Sequence, residues 1–224
     1  MKKHIVCFGD SNTHGYCADP KDCADGCICP ERGYRFNEQE RWTMLLQDLL
    51  GSEYQVIEEG LSGRTTVFDD PLGESLSGID CLYSCLVSHE PLDLLIIMLG
   101  TNDTKERFAA SPECIVWGME RLVKKAKTIA AWSNNTPNIL VISPPHINEA
   151  LYKHHFYKTM GTGCIEKSQQ LAPLYKELCE KQGCAFLDAE GIAEFNRVDG
   201  MHLSKKGHSQ LAEALAPIVK NLVK

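Results

Sequence analysis

The stretch that decides the fold covers residues 93–103 and reads DLLIIMLGTND. Positions 94–99 are continuously apolar, which is typical of a parallel strand that is buried on both faces of a sheet. The apolar run stops at Gly100, and the polar residues Thr101, Asn102 and Asp103 follow at once. This pattern predicts a buried β-strand that ends in a polar turn.

Short apolar runs alternate with longer amphipathic stretches on both sides of this strand. Strands are predicted at residues 5–8, 54–57, 93–99, 139–142 and 185–187. Helices are predicted at residues 41–50, after Pro112, at 163–182 and at 205–223. Repeated strand–helix–strand units imply right-handed crossovers and a parallel sheet that is covered on both faces. The sequence therefore predicts an α/β protein with a single domain over residues 1–224.

The overall composition is that of an ordinary globular chain. Of the 224 residues, 43% are hydrophobic and 24% are charged. A chain of this length buries about 70% of the surface that its unfolded form exposes. Lysine plus arginine number 23 against 30 aspartate plus glutamate, so the formal net charge is −7. An acidic balance without a basic stretch argues against nucleic acid or an anionic membrane as a partner.

The 11 cysteines are an unusual feature. An odd number cannot pair completely within one chain, and a domain of this size needs no disulfide framework. The first apolar run, residues 5–8, is too short for a signal peptide, and no stretch approaches the roughly 20 apolar residues of a membrane helix. We therefore expect a cytoplasmic protein with free thiols.

Polar, turn-forming clusters follow the predicted strands, and in such folds ligands bind beyond the carboxyl ends of the strands. The clusters are Gly9-Asp10-Ser11-Asn12, residues 58–66, Gly100-Thr101-Asn102-Asp103 and Asp199-Gly200-Met201-His202. Each of them alone is typical of an ordinary turn or helix cap. Four such clusters at one edge of a sheet predict an active site.

Together the clusters contain the parts of a serine hydrolase. A serine hydroxyl is a weak nucleophile that needs a base such as imidazole, and the imidazole needs a carboxylate to fix its tautomer. Asp199 and His202 are three residues apart, so the carboxylate can meet one ring nitrogen while the other faces Ser11. The backbone N–H groups of Ser11 and Gly63 and the side-chain amide of Asn102 are candidate donors to an oxyanion.

The four clusters resemble, in the same order, the sequence blocks of the SGNH (GDSL-type) hydrolases. The resemblance runs nearly end to end, and residues 56–66, 69–71 and 96–105 are most similar to bacterial arylesterases and related acyltransferases. It implies a flavodoxin-like three-layer α/β/α fold with a five-stranded parallel sheet. It also implies Ser11 as nucleophile, His202 as base and Asp199 as the residue that orients the base. The implied oxyanion hole is Ser11, Gly63 and Asn102, with Gly60 as the alternative to Gly63, and neither a metal nor a cofactor is expected.

Two features depart from the family pattern. Asn12 follows the serine where the family has leucine, and we expect it to shape the rim of the site rather than the mechanism. A Cys-rich loop at about residues 17–30 carries Cys17, Cys23, Cys27 and Cys29, whose spacing is not that of structural zinc sites. We expect free thiols in a flexible loop that shapes the substrate entrance, with a metal site as the less favoured alternative.

The sequence as a whole predicts a serine esterase that hydrolyses small, uncharged esters with short acyl or aryl groups through an acyl-enzyme, which water or another alcohol resolves. A carbohydrate acetylesterase or a thioesterase with the same catalytic residues is the alternative. A Cys-rich metal or redox module on an inactive hydrolase frame is less favoured, because the catalytic set is complete. Phe156, Tyr157 and Met160 are candidates for the pocket wall or for core packing. The expected partners are a small-molecule ester and further copies of the chain in a homo-oligomer, without nucleic acid or membrane.

Overall fold

The computed structural model describes residues 2–23 and 34–224. The strands are β1 (Lys3–Gly9), β2 (Tyr16–Cys17), β3 (Tyr34–Arg35), β4 (Tyr54–Gly60), β5 (Leu94–Met98), β6 (Ile139–Ser143) and β7 (Ala185–Asp188). The helices are α1 (Ser11–His14), α2 (Trp42–Leu50), α3 (Gly78–Ser88), α4 (Pro112–Thr128), α5 (Tyr157–Met160), α6 (Cys164–Gln182) and α7 (Lys205–Leu222). Cys27 and Cys29 of the predicted Cys-rich loop lie outside the described residues.

Five strands form one sheet in the order β4-β1-β5-β6-β7, and every ladder in it is parallel. β5, in which every residue is buried, lies in the middle of this sheet. The predicted five-stranded parallel sheet is therefore confirmed, and each of its strands overlaps a predicted one. β2 and β3 form a separate antiparallel pair, which the sequence pattern does not predict.

Apolar side chains cover both faces of the sheet. Along β1, Val6 and Phe8 belong to a core on one face, and Ile5 and Cys7 belong to a core on the other. The first core includes buried residues of α3, α4 and α6, and the second includes buried residues of α2 and α7. This arrangement gives the three layers that the family resemblance implies. No helix in the described part of the chain is long and apolar enough to span a membrane.

The helix ends follow local signals in the sequence. At the start of α4 the Ser111 side chain accepts a hydrogen bond from the backbone N–H of Cys114, and Pro112 occupies the first helical position. At the start of α7 the Ser204 side chain accepts from the backbone N–H of Gly207. α3 is a further helix that the sequence pattern does not predict, and it packs over β4 and β1.

Candidate active site

Ser11 lies just after β1, in the first turn of α1. Asp10 caps this short helix, because its carboxylate accepts a hydrogen bond of 2.9 Å from the backbone N–H of Asn12. Gly9 is required at the end of the strand, because a Cβ atom at this position would overlap the side chain of Thr13. The turn thus carries the Ser11 hydroxyl to the carboxyl edge of the sheet.

The side chains of Ser11, His202 and Asp199 form one hydrogen-bonded chain. His202 Nε2 is 2.8 Å from Ser11 Oγ, and His202 Nδ1 is 2.6 Å from Asp199 Oδ2. An ionised carboxylate can only accept, so Nδ1 carries the proton and Nε2 is left to accept from the Ser11 hydroxyl. The structure therefore brings the three predicted residues together in the geometry of a serine, its base and the carboxylate that orients the base.

Several donors hold the Asp199 carboxylate in place. Its Oδ1 atom accepts hydrogen bonds from the backbone N–H groups of Met201 and His202 and from Nδ2 of Asn196. Burial by itself would raise the pKa of Asp199, but the charge of His202 and these hydrogen bonds outweigh burial and lower the pKa to about 2. The carboxylate is therefore ionised at neutral pH. Sequence reasoning missed Asn196, which looks like any loop asparagine.

The three predicted oxyanion donors, Ser11, Gly63 and Asn102, line the same pocket. Gly63 has a φ of 90°, in the left-handed region that favours glycine. The predicted alternative, Gly60, instead packs so closely on the backbone of α1 that a Cβ atom would overlap it. Of the two glycines, Gly63 is thus the one that faces the pocket.

The side-chain amide of Asn102 is positioned by two acceptors. Its Nδ2 atom donates to the backbone carbonyl of Arg64 at 3.2 Å and to Asp10 Oδ2 at 3.4 Å. Arg64 in turn donates from Nη1 to the backbone carbonyl of Gly9, which joins the Gly63 loop to the end of β1. Asn102 also lines the pocket, and its amide acts in these contacts as a donor, which differs from a helix cap, where the side chain accepts from backbone N–H groups.

Two buried carboxylates hold the turns around these donors. Asp10 caps α1, and Asp103 accepts hydrogen bonds from both the backbone N–H and the hydroxyl of Thr66. Burial raises the pKa of each carboxyl to about 6, and hydrogen bonds from Asn12 to Asp10 and from Thr66 to Asp103 only partly offset it. Keeping both carboxyls charged at neutral pH therefore lowers the stability of the folded protein. Shifted pKa values of this kind are typical of functional sites.

The expectation that Asn12 only shapes the rim of the site is wrong. Asn12 is 1% exposed, and its side chain donates to the backbone carbonyl of Met201 (3.1 Å) and accepts from the backbone N–H of Leu203 (2.8 Å). These two residues flank His202. Asn12 therefore fixes the turn that carries the base, directly beside the serine that the base contacts.

Aromatic and thioether side chains form the apolar wall of the pocket. The Tyr16 ring lies 4.4 Å from the His202 ring, measured between centroids, and the Phe156 ring lies 5.8 Å from it. Phe156 and Met160 line the pocket as predicted, whereas Tyr157 packs against a neighbouring apolar cluster. The cavity has a volume of about 260 Å³.

One carboxylate beside the pocket is shared by two cations. Lys105, which also lines the pocket and is 5% exposed, has its Nζ atom 2.9 Å from Asp70 Oδ2. Arg107 contacts the other oxygen of the same carboxylate at 3.1 Å. The Lys105 ammonium group is therefore ion-paired, and the Asp70 carboxylate is shared between two cations.

The arrangement of the site is that of a serine hydrolase. It combines a serine, an imidazole and a carboxylate in one hydrogen-bonded chain, beside converging amide donors, at the carboxyl edge of an α/β/α sheet. Comparison with known proteins names the family. A model of the GDSL-like lipase/acylhydrolase family matches residues 7–210, and the chain belongs to this family. The predicted family, with the ester-hydrolase class that it represents, is confirmed.

Similar proteins of known structure or curated function are esterases. An aryl esterase from M. smegmatis shares 38% sequence identity at a TM-score of 0.86, covering 98% of this chain and 99% of its own. A carbohydrate acetylesterase from Sinorhizobium meliloti shares 37% identity at a TM-score of 0.87, covering 99% of this chain and 100% of its own. An acetylxylan esterase from Xylanibacter ruminicola is 24% identical over 96% of this chain, which spans only 43% of the length of that relative.

Proposed function

We propose that the chain is a serine esterase that cleaves small, uncharged esters of short acyl groups through a covalent acyl-enzyme. The observation that carries this proposal is the unbroken contact from Asp199 through His202 to Ser11, which opens onto a pocket of about 260 Å³. Family membership and the likeness to esterases over nearly the whole chain support it.

In the proposed mechanism the Ser11 oxygen attacks the ester carbonyl carbon while His202 Nε2 takes the hydroxyl proton. The backbone N–H groups of Ser11 and Gly63 and the amide of Asn102 donate to the oxyanion of the tetrahedral intermediate. His202 then returns the proton to the leaving alcohol oxygen, and the C–O bond of the ester breaks. Water, deprotonated by His202, then attacks the acyl carbon, the bond from that carbon to Ser11 Oγ breaks, and His202 returns the proton to Ser11 Oγ as the acid leaves. An alcohol in place of water gives acyl transfer. Asp199 keeps the imidazolium in place during both steps.

The size and polarity of the pocket favour a small acyl group. Pockets for drug-sized ligands span about 300–1,000 Å³, and this cavity lies below that range. Its wall includes Phe156, Met160 and Met201, and the ammonium group of Lys105 is bound to Asp70. Among the described residues that line the cavity, the Lys105 ammonium group is already paired with Asp70, and an acetyl or similarly short apolar group fits the apolar wall.

A carbohydrate acetylesterase is the second candidate, and the comparisons favour it specifically. The structural neighbour from Sinorhizobium meliloti is a carbohydrate acetylesterase, and the curated relative is an acetylxylan esterase. Both candidates share the acetyl group that the pocket accepts and differ in the alcohol that leaves. The ratio of kcat/KM for an acetylated sugar to that for phenyl acetate separates them.

The thiol chemistry supports a reducing compartment. Cys7, Cys81, Cys85, Cys114, Cys164, Cys179 and Cys184 are all present as free thiols. We propose a cytoplasmic location, which these free thiols support because disulfides form and persist in oxidising compartments. The homo-oligomer expected from the family resemblance stays a prediction, which light scattering of the purified protein tests.

The esterase proposal is tested with nitrophenyl esters of increasing acyl length. We expect the highest kcat/KM for the acetyl ester and a steep fall with longer chains. Ser11→Ala should abolish turnover and leave Tm nearly unchanged. Ser62→Ala is the matched control, because Ser62 lines the same pocket, whereas the hydrogen bond to His202 Nε2 is made by Ser11. Full turnover in Ser11→Ala would refute the serine mechanism.

A further inference from the structure

A second cluster of reactive side chains lies away from the catalytic residues, between the edge strand β4 and α3. It consists of Glu59 on β4, Cys85 on α3 and His89 at the carboxyl end of α3. One ligand atom from each residue, a carboxylate oxygen, a sulfur and an imidazole nitrogen, lies within 4.8 Å of the other two. None of the three residues lines the catalytic pocket.

We propose that Glu59, Cys85 and His89 form a binding site for a thiophilic divalent cation such as Zn²⁺. The donor set of thiolate, imidazole and carboxylate is the one that zinc takes in proteins. Calcium and magnesium are poor candidates, because they require six or more oxygen ligands. Three protein ligands leave one tetrahedral position for water.

The positions of α3 and β4 bring the three ligand side chains close together. Cys85 and His89 are four residues apart, so they follow one another along one side of the last turns of α3. Glu59 extends from the strand beneath this helix, on the same side as Ile57, which packs against the core that contains Leu82 and Cys85. The spacing of 26 residues between Glu59 and Cys85 explains why the sequence pattern does not reveal the cluster.

The distances require only small movements for an ion to enter. His89 Nε2 is already 2.7 Å from Glu59 Oε1, and the sulfur completes a triangle with no side longer than 4.8 Å. Zinc bonds of about 2.0–2.3 Å hold ligand atoms roughly 3.3–3.6 Å apart, so the carboxylate and imidazole separate slightly and the sulfur moves inward. The Cys85 thiol releases its proton to solvent when the sulfur binds the ion.

The partial exposure of the cluster gives an ion a route from solvent. The side chains of His89 and Glu59 are 27% and 30% exposed, whereas Cys85 is 9% exposed. Two ligands are thus reachable from solvent, and the third lies just beneath them. The bound ion would join the end of α3 to the edge strand of the sheet, next to Gly60 and the loop that carries Gly63.

The test is a titration of the reduced, metal-free protein with Co²⁺, which replaces zinc and reports thiolate ligation by a near-ultraviolet charge-transfer band. We expect one equivalent to bind with this band. Cys85→Ser and His89→Asn should lose it, while Cys114→Ser, which removes a half-buried thiol from α4, should keep it. Saturating Zn²⁺ should raise Tm by several degrees in the wild type and in Cys114→Ser only.

Esterase turnover and Tm of the metal-free variants report whether each variant is folded, and the titration itself does not depend on the proposed esterase function. If Cys85→Ser fails to fold, the Co²⁺ titration of His89→Asn decides the question, because His89 lies at a partly exposed helix end. Absence of the band in the wild type would overturn the proposal. Persistence of the band in Cys85→Ser or His89→Asn would also overturn it, because the ion would then be held elsewhere, for example by the cysteines of residues 17–30.

Discussion

Replacement of Asn102 separates an oxyanion donor from a residue that only shapes a turn. Asn102 is 5% exposed, and its amide makes bonds of 3.2 and 3.4 Å to the Arg64 carbonyl and to Asp10. Both bonds are long for N–H···O contacts, so they contribute little to stability. The main contribution of the amide is expected when negative charge develops on the substrate oxygen.

The expected effect on rate follows from that role. Loss of one oxyanion donor costs about 10²–10³ in kcat, on the order of 3–4 kcal/mol. Asn102→Ala should therefore lower kcat by this factor with little change in KM, because the interaction is stronger in the transition state than in the ground state. Asn102→Asp should be worse, since a carboxylate would face the oxyanion and would also lie against the Arg64 carbonyl and the Asp10 carboxylate.

Steady-state kinetics with nitrophenyl acetate, alongside a melting curve for each variant, make the measurement. If Asn102 only capped a turn, Asp would replace it at little cost, and Ala would lower the free energy of unfolding by about 1 kcal/mol without a specific loss of kcat. A kcat for Asn102→Asp within a few-fold of the wild type would therefore refute the oxyanion assignment.

Three further outcomes are expected. Asp199→Asn should lower kcat by about 10⁴, because the Ser11–His202 contact remains while the tautomer of the imidazole is no longer fixed; kinetics within tenfold of the wild type would argue against the role. Asp10→Asn should raise the free energy of unfolding at pH 7 by up to about 3 kcal/mol, because burial raises the folded-state pKa from 3.8 to about 6. The raised pKa lowers the free energy of unfolding only where the carboxyl is ionised, so the loss is absent below pH 4 and complete above pH 6. Urea titrations at pH 4 should therefore show no gain in the free energy of unfolding for the variant. An equal gain at pH 4 and pH 7 would contradict this cause. Phe156→Ala should shift the preferred nitrophenyl ester to longer acyl chains, and an unchanged chain-length profile would exclude Phe156 from the acyl wall.

The parts of the fold that the sequence predicts are those with strong local signals. β5 is recognisable because six consecutive apolar residues cannot be accommodated on a solvated surface, and α4 because Ser111 and Pro112 mark its start. α3 has weaker signals, since Ser77 and Asp80 stand at capping spacing but the Ser77 side chain makes no cap hydrogen bond. Its sequence GIDCLYSCLVS begins with glycine and is rich in cysteine, serine and β-branched residues, which are weak helix formers, and packing on the sheet stabilises it instead.

The candidate site shows the same division. Ser11 is predictable because it lies in a polar turn directly after a predicted strand. Asp199 and His202 are predictable because they lie three residues apart in one polar cluster. The roles of Asn12 and Asn196 are not predictable in this way. Asn12 contacts a backbone carbonyl 189 positions further along the chain, and only the folded structure shows that a rim position is in fact buried.

In the proposed mechanism the Ser11 oxygen is the nucleophile. The direct measurement is mass spectrometry of the protein after reaction with an organophosphonate, with the modified peptide sequenced. We predict one phosphonyl group per chain, on Ser11, with loss of esterase activity in proportion to labelling, no labelling of Ser11→Ala and full labelling of Ser62→Ala. Labelling of Ser11→Ala with the wild-type stoichiometry, or a modified residue other than Ser11, would contradict the assignment of Ser11 as the nucleophile.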